Sequence, residues 1–312
     1  MSYPPRSVAY AALVLTVALW ASSTVTARGL LDEVHPATLA LLRWTVVAAC
    51  LVPFVWRERA AMLAALRTDL RTYVLIALIG FAPQTWLVYI GLAGSTATTL
   101  GLFNSAIPVI IVAVLVLFRG RKLHSLEAVG LALSSLGVLL ILARGDFRAL
   151  LSLRFSPYDL MLLSTSALWA LYTIRLSDRP ASLRLPAFLF VTVVLGLLFL
   201  APFATAEIAL RGWPALPPST ALGIVYLGTL PTLVASLLFA FGVARVGPIH
   251  AGMLTHLMPV FTALLAATFL GERLQPFHGA GFLLVAGGAL ICCLHASPVI
   301  TSRAPARVPA EP

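Results

Sequence analysis

Residues 101–118, GLFNSAIPVIIVAVLVLF, contain no charged side chain, and the chain returns to the same pattern at residues 252–269, GMLTHLMPVFTALLAATF. A shift of 151 positions places Pro108 on Pro259. An uncharged apolar segment of this length is typical of a helix that crosses a bilayer, which needs about 20 apolar residues. The two stretches therefore predict a pair of equivalent membrane-spanning helices.

The correspondence continues outward from these stretches over most of the chain, at shifts between 148 and 151 positions. Leu and Ala match easily by chance in apolar helices, whereas Gly and Pro in register do not. We therefore interpret the chain as two copies of one module. The matched pairs include Gly91 and Gly242, Gly101 and Gly252, Gly120 and Gly271, Gly130 and Gly281, Gly137 and Gly288, Pro53 and Pro202, and Pro83 and Pro231.

The composition restricts the class of protein. Of the 312 residues, 60% are hydrophobic and 10% are charged, and the mean hydropathy is +1.00. Soluble domains carry about 25% charged residues, so an ordinary globular enzyme, a disordered chain and a nucleic-acid binder are excluded despite the net charge of +10. The three cysteines match neither a disulfide framework nor a metal site. The sequence predicts a polytopic membrane protein without metal or cofactor.

Charged and Pro/Gly-rich breaks divide the chain into ten candidate spans, which predict an all-α membrane protein with ten transmembrane helices as two inverted five-helix repeats. The repeats occupy residues 8–145 and 157–296. Residues 1–7 form a cytoplasmic N-terminal tail, and residues 297–312, rich in Pro, Ala and Arg, form a disordered cytoplasmic tail. The spans lie near 8–28, 36–56, 72–92, 97–118, 126–143, 157–175, 185–205, 219–243, 248–270 and 276–295.

The distribution of cations orients these spans. With both termini on one side, most of the 21 Lys and Arg residues fall on that side, including Arg57, Arg59, Arg119, Arg121 and Lys122. Cytoplasmic loops carry the excess of Lys and Arg, so we expect both termini in the cytoplasm of a bacterial-type inner membrane. Five spans per copy insert the second copy upside down. Inverted repeats recur in secondary transporters, whose substrate site lies near the midplane.

Short motifs place the chain near a known family. It resembles the EamA-type branch of the drug/metabolite transporter superfamily, and within it bacterial exporters of aromatic amino acids. The resemblance implies export or exchange of small metabolites without ATP. Two departures are Trp20-Ala21-Ser22-Ser23, where many members have Trp-Gly-Ser-Asn, and Gly120-Arg121, where the second copy has Gly271-Glu272. The motifs are Leu41-Leu42-Arg43-Trp44, Pro259-Val260, Leu270-Gly271-Glu272-Arg273-Leu274, Gly281 and Gly288.

Aromatic and hydroxyl side chains near span centres are the first candidates for a substrate site. Trp20 and Trp169 occupy equivalent midspan places in the two copies, away from the interface that Trp and Tyr usually favour. A pocket of such rings suits a flat or aromatic solute, although the same rings could pack between helices. The further candidates beside them are Ser23, Thr24, Trp86, Tyr89 and Tyr172.

Three ionisable side chains within spans are further candidates. A charged Arg43 side chain inside a span costs free energy unless it is paired with another group or reached by water. We therefore expect it to bind a substrate carboxylate, or else backbone carbonyls, Asp32 or Glu33. The unperturbed pKa of histidine is near neutral, so His250 and His256 could carry a coupling proton or simply be hydrogen-bonded within the helices.

Four prolines inside spans interrupt the backbone hydrogen-bond ladder and are hinge candidates. They are Pro83, Pro108, Pro231 and Pro259. The nearby Gln84 and Asn104 would offer polar contacts to a zwitterion.

The sequence thus predicts a secondary transporter that exports or exchanges small amphipathic metabolites, including aromatic amino acids, by alternating access. The alternatives are a broad-specificity drug/metabolite transporter or a nucleotide-sugar-type transporter. An intramembrane enzyme is disfavoured because no catalytic motif is present, and the tails are too short for a signalling domain. The predicted partners are a small-molecule substrate and membrane lipid, without nucleic acid. The exact substrate, the coupling ion, the resting conformation and the oligomeric state stay open.

Overall fold

The computed structural model describes residues 5–95, 97–143, 145–146, 156–180, 182–269 and 275–294. All regular secondary structure in these ranges is helical, which confirms the predicted all-α class. The predicted tail 297–312 and the motif residues 270–274 lie outside the described residues. The helices are α1 Arg6–Leu30, α2 Pro36–Val55, α3 Arg59–Gly80, α4 Ala82–Gly94, α5 Ala97–Asn104, α6 Ile107–Arg119, α7 Ser125–Leu142, α8 Pro157–Ser177, α9 Leu185–Arg211, α10 Pro218–Gly228, α11 Ala235–Leu254, α12 Met258–Phe269 and α13 Pro276–Leu294.

Six helical stretches of the described chain are long and apolar enough to cross a membrane. Two of them, of 59 and 48 residues, join several helices and far exceed the length of one crossing. Two shorter apolar helices accompany them, Ile107–Arg119 and Pro276–Cys292. The six stretches are Arg6–Leu30, Pro36–Gly94, Ser125–Leu142, Pro157–Ser177, Leu185–Arg211 and Pro218–Leu265.

Helix α3 begins earlier than the predicted span 72–92. Its first part, from Arg59, replaces the expected connecting segment, and the backbone leaves helical geometry only at Asp69, with φ −149° and ψ 48°. The segment is rich in Ala and Leu, which have high helix propensity, and it buries Met62 and Ala65. This first part of α3 buries only one of its faces, so its mean hydropathy does not mark it as a membrane span.

The predicted third and eighth spans are both broken near a proline. Phe81 separates α3 from α4 with φ −129° and ψ −129°. At the equivalent place, the π-helical segment Thr229–Val234 separates α10 from α11. Pro83 follows the first break, and Pro231 lies inside the second. Because a proline lacks the backbone N–H that continues an α-helix, both breaks are consequences of the sequence.

The predicted fourth and ninth spans are broken in the same way. A turn at residues 105–106 separates α5 from α6, and a 3-10 turn at Thr255–Leu257 separates α11 from α12. The next helix has its proline, Pro108 or Pro259, as its second residue. The lining of the functional site comes from these four breaks and the helices beside them.

Helices α7 and α13 approach each other so closely that only glycine leaves room. A Cβ on Gly130 would lie 2.6 Å from the carbonyl oxygen of Gly288, and a Cβ on Gly137 would lie 2.8 Å from that of Gly281. Higher numbers on one helix meet lower numbers on the other, so the two helices are antiparallel. Small residues permit this kind of backbone approach between membrane helices.

Helices α2 and α9 pack together, and a glutamate lies at the start of each: Glu207 of α9 at the start of α2, and Glu58, from the 3-10 turn that follows α2, at the start of α9. The Glu207 carboxylate accepts hydrogen bonds from the Thr38 backbone N–H (2.8 Å), the Thr38 hydroxyl (2.8 Å) and the Ala37 N–H (3.3 Å) at the N-terminus of α2. Glu58 forms a 3.4 Å ion pair with Arg184, the residue before α9. A helix N-terminus favours a carboxylate. The start of α2 binds its glutamate through three hydrogen bonds, whereas the glutamate at the start of α9 forms one ion pair.

Candidate functional site

A cavity of about 150 Å³ lies among the helix breaks. Its lining comes from helices α1 to α6 of the first half and from α8, the π-helical segment, α11, the 3-10 turn and α12 of the second half. Gly80 and Pro231, at the two equivalent breaks, both border it. The site is therefore formed where backbone irregularity and the two halves of the chain meet.

Arg43 is the cation of the cavity. Its side chain is 8% exposed, its Nε donates to the Thr232 hydroxyl at 2.5 Å, and its Nη1 donates to the Tyr89 hydroxyl at 2.7 Å. Among the described residues, no carboxylate forms an ion pair with Arg43. The predicted alternatives of Asp32, Glu33 or backbone carbonyls are wrong, since two hydroxyls from different halves of the chain accept the bonds.

Indole rings form one wall of the cavity. The rings of Trp20 and Trp169 meet edge to face, with centroids 5.1 Å apart and planes at 85°, and both pack on Phe239. Trp44 also lines the cavity, and its Nε1 donates to the Thr85 hydroxyl at 3.1 Å. Edge-to-face geometry is the preferred arrangement of aromatic pairs, so this wall is preformed.

Uncharged polar groups complete the lining. The candidate residues Ser23, Thr24, Gln84 and Asn104 all border the cavity. The Asn104 side-chain oxygen accepts a hydrogen bond from the Ser166 hydroxyl at 3.1 Å. Within the described residues, no Asp or Glu borders the cavity. The lining therefore combines one positive charge with aromatic and neutral polar surface.

Two of the predicted aromatic residues lie elsewhere. The ring of Trp86 packs against Phe203, with centroids 4.6 Å apart. Tyr172 is 2% exposed and lies behind the wall, 4.9 Å from Trp169 and 5.2 Å from Phe81 between ring centroids. Neither residue borders the cavity, because its helix turns it toward a neighbouring helix.

The two histidines also lie outside the cavity lining. The ring nitrogens of His250 are 2.9 Å from the Val246 carbonyl oxygen and 3.2 Å from that of Cys292. Those of His256 are 2.8 Å from the Ser134 hydroxyl and 3.0 Å from the Ser105 carbonyl oxygen. Both rings are held by hydrogen bonds inside the helix bundle, so direct contact with substrate in the cavity is not their role in this structure.

The sequence prediction missed several lining residues, and the internal repeat could have found two of them. Thr232 lies 148 positions after Gln84, and Thr255 lies 151 positions after Asn104. Transferring each predicted residue to the other copy would have identified both. The side chains of Thr85 and Ser236 carry no comparable signal in the sequence.

A family comparison matches nearly the whole described chain. The model of the EamA-like transporter family matches it twice, over residues 7–143 and over residues 156–294.

Individual proteins are similar over almost their full lengths. A protein of Archaeoglobus fulgidus, named as an uncharacterized transporter, is 25% identical over 280 residues, which cover 89% of this chain and 95% of that one. A protein of Streptantibioticus cattleyicolor, named as a probable terminal-alkyne amino-acid exporter, is 27% identical over 285 residues, 89% of each chain. A crystal structure with 20% sequence identity has a TM-score of 0.69, covering 94% of this chain and 98% of that one. This last similarity concerns the fold alone.

Proposed function

The chain belongs to the EamA-like transporter family of the drug/metabolite transporter superfamily, and on this premise we propose that it exports or exchanges small amphipathic metabolites, including aromatic amino acids, by alternating access. Membership makes it a multi-pass membrane transporter. The observation that carries the proposal is the cavity, where Arg43 lies with the Trp20–Trp169 wall.

The chemistry of the cavity supports this class of substrate. A guanidinium binds a carboxylate through charge-assisted hydrogen bonds, and indole faces bind an apolar or aromatic body. The relative from Streptantibioticus cattleyicolor is named as an amino-acid exporter. A nucleotide sugar carries several negative phosphate charges, and Arg43 is the one cation among the described lining residues to balance them.

We further propose ten transmembrane helices in two inverted five-helix repeats, residues 8–145 and 157–296. The glycine contacts support this arrangement, because a shift of 151 positions turns the pair Gly130 and Gly288 into the pair Gly281 and Gly137. Replacing each residue by its equivalent in the other copy therefore gives another contact between the same two antiparallel helices. A two-fold axis in the membrane plane requires this relation. The double match of the family model also supports two copies.

We propose cytoplasmic termini, in a bacterial-type inner membrane, on the charge distribution described above. The residue 1–7 and 297–312 tails would then both lie in the cytoplasm. A coupling proton on His250 or His256 would act through the helix bundle, since neither ring borders the cavity.

A counterflow assay tests the proposed function. Purified protein is reconstituted in liposomes loaded with unlabelled amino acid, and the uptake of labelled Phe, Trp or Thr is measured with and without a pH gradient. We expect counterflow of Phe and Trp. Stimulation by the gradient would support proton coupling, and no counterflow of any labelled amino acid would contradict the amino-acid proposal.

Truncation of the aromatic wall should weaken substrate binding. We expect Trp169→Ala to raise the half-saturating concentration by about 10-fold, because a buried aromatic contact contributes about 1.5–3 kcal/mol, while the amount of folded protein stays near wild type. Trp86→Ala is the matched control, since the same truncation removes a ring that packs on Phe203 outside the cavity. Equal effects of the two changes on half-saturation would contradict the assignment.

The proline breaks should control the rate of exchange. Replacing both Pro108 and Pro259 with Ala restores backbone N–H groups at two equivalent breaks, so we expect continuous helices to be favoured and exchange to slow by about 5-fold. Equilibrium binding should change less. Replacement of Pro53 and Pro202 is the control, because these prolines also correspond between the copies but lie inside continuous helices. If both double variants slow exchange equally, the hinge proposal fails.

A further inference from the structure

Arg43 keeps unused hydrogen-bonding capacity inside the cavity. A guanidinium has five N–H donors, and the bonds to Thr232 and Tyr89 use two of them. Among the described residues, the remaining three donors have no acceptor, although the side chain is only 8% exposed and borders the cavity. A buried cation of this kind is costly without a counter-anion. An anion in the cavity would satisfy these donors and offset the charge.

The nearby acidic residues do not supply that anion. Glu33 accepts a hydrogen bond from the Thr220 hydroxyl, Asp159 accepts from Ser95 and Ser156, and Glu207 accepts from the start of α2. None of them borders the cavity. Over the part of the chain that the structure describes, the cavity lining thus has one positive charge and no negative charge.

This imbalance distinguishes two kinds of carboxylate ligand. A monoanion pairs with Arg43 and leaves the cavity neutral. A zwitterionic amino acid brings an ammonium group as well, which must leave water and lie near a guanidinium with only neutral acceptors, such as the side-chain oxygens of Gln84 and Asn104, around it. Desolvation of an unpaired charge and repulsion between like charges both oppose this.

We propose that the preferred substrates are monocarboxylates with an apolar or aromatic body and no free ammonium group, such as 2-hydroxy acids and N-acyl amino acids. This inference rests on the proposed transport function and narrows its substrate class. Amino acids remain substrates on this view, but they bind more weakly than the same acids without the ammonium charge.

Calorimetric titration of the purified full-length protein in detergent at pH 7.5 tests the ranking. The four probes share one aromatic body: N-acetylphenylalanine, phenyllactate, phenylalanine and phenethylamine. We expect both monoanions to bind at least about 10-fold more tightly than phenylalanine, because they lack the repelled ammonium group. Phenethylamine, which has only the positive charge, should not bind measurably.

Arg43→Gln and Arg43→Lys test the source of the selectivity. We expect Arg43→Gln to lose the preference for monoanions over phenylalanine. Arg43→Lys should still prefer monoanions, but with lower affinity, because Lys retains the charge without the planar fork of donors. The wild-type ranking decides the proposal even if a variant fails to fold.

The possible results separate this inference from the proposed function. If phenylalanine binds as tightly as the monoanions, or more tightly, the inference is overturned, while counterflow of phenylalanine would still support transport. If no probe binds and no amino acid shows counterflow, both proposals are overturned.

Discussion

Arg43→Gln is expected to reduce transport of carboxylate substrates by about 100-fold without loss of folded protein. Charge-assisted hydrogen bonds contribute about 1.5–3 kcal/mol each, and in this cavity no second cation among the described lining residues can replace Arg43. The thermal stability of the ligand-free protein should be unchanged or higher, since the substitution removes a buried charge without a carboxylate partner. Uptake into proteoliposomes and thermal unfolding in detergent measure the two effects.

Two controls accompany this substitution. Arg43→Lys should keep a measurable fraction of transport, and Arg211→Gln should keep all of it, because Arg211 is exposed at the end of α9. The opposite pattern, in which Arg43→Gln transports normally but unfolds at lower temperature, would show that Arg43 only links α2 to Thr232 and Tyr89.

Gly288→Ala is expected to destabilise the protein by about 2 kcal/mol, seen as a fall of about 5 °C in unfolding temperature. The new Cβ would lie 2.5 Å from the Gly130 carbonyl oxygen and 2.6 Å from the Ser134 backbone nitrogen. These are backbone atoms of α7, so α7 and α13 would have to separate. The clash outweighs the gain of about 1 kcal/mol that Ala brings over Gly in a helix.

The neighbouring glycine provides a matched control. A Cβ on Gly287 would meet only the side chain of Leu133, at 3.7 Å. Gly287→Ala gains the same helix propensity without the clash, so it should unfold at the wild-type temperature or slightly above. If both substitutions behave alike, the close crossing of α7 and α13 does not limit stability.

Much of the fold could be predicted because charge and hydropathy mark the ends of helices. The predicted span 36–56 begins where α2 begins and ends one residue later, and the predicted span 126–143 differs from α7 by one residue at each end. The first part of α3 could not be found in this way, because residues 59–68 form an amphipathic Ala-rich helix rather than an apolar span. The π-helical segment at Thr229–Val234 was also missed, since a local shift of backbone hydrogen bonds leaves little trace in composition.

The site was predictable to the extent that the midspan position of a side chain is informative. Trp20, Trp169 and Arg43 are unusual residues for a membrane interior, and all three border the cavity. The periodicity of a helix shows which residues share a face, but it does not show what that face meets. Trp86 and Tyr89 are three residues apart, yet Trp86 packs on Phe203 while Tyr89 accepts the hydrogen bond from Arg43.

The unequal ends of the α2–α9 pair have a consequence for the resting population of the transporter. Glu58 and Glu207 are 149 positions apart, so they correspond in the proposed repeats. If the two halves exchange conformations, Glu207 would lose its three bonds, and Glu58 could not form the same three, because Pro186 has no backbone N–H and Ala187 has no hydroxyl. The present conformation would then be favoured over the exchanged one, and Glu207→Gln would reduce that preference without changing the cavity lining.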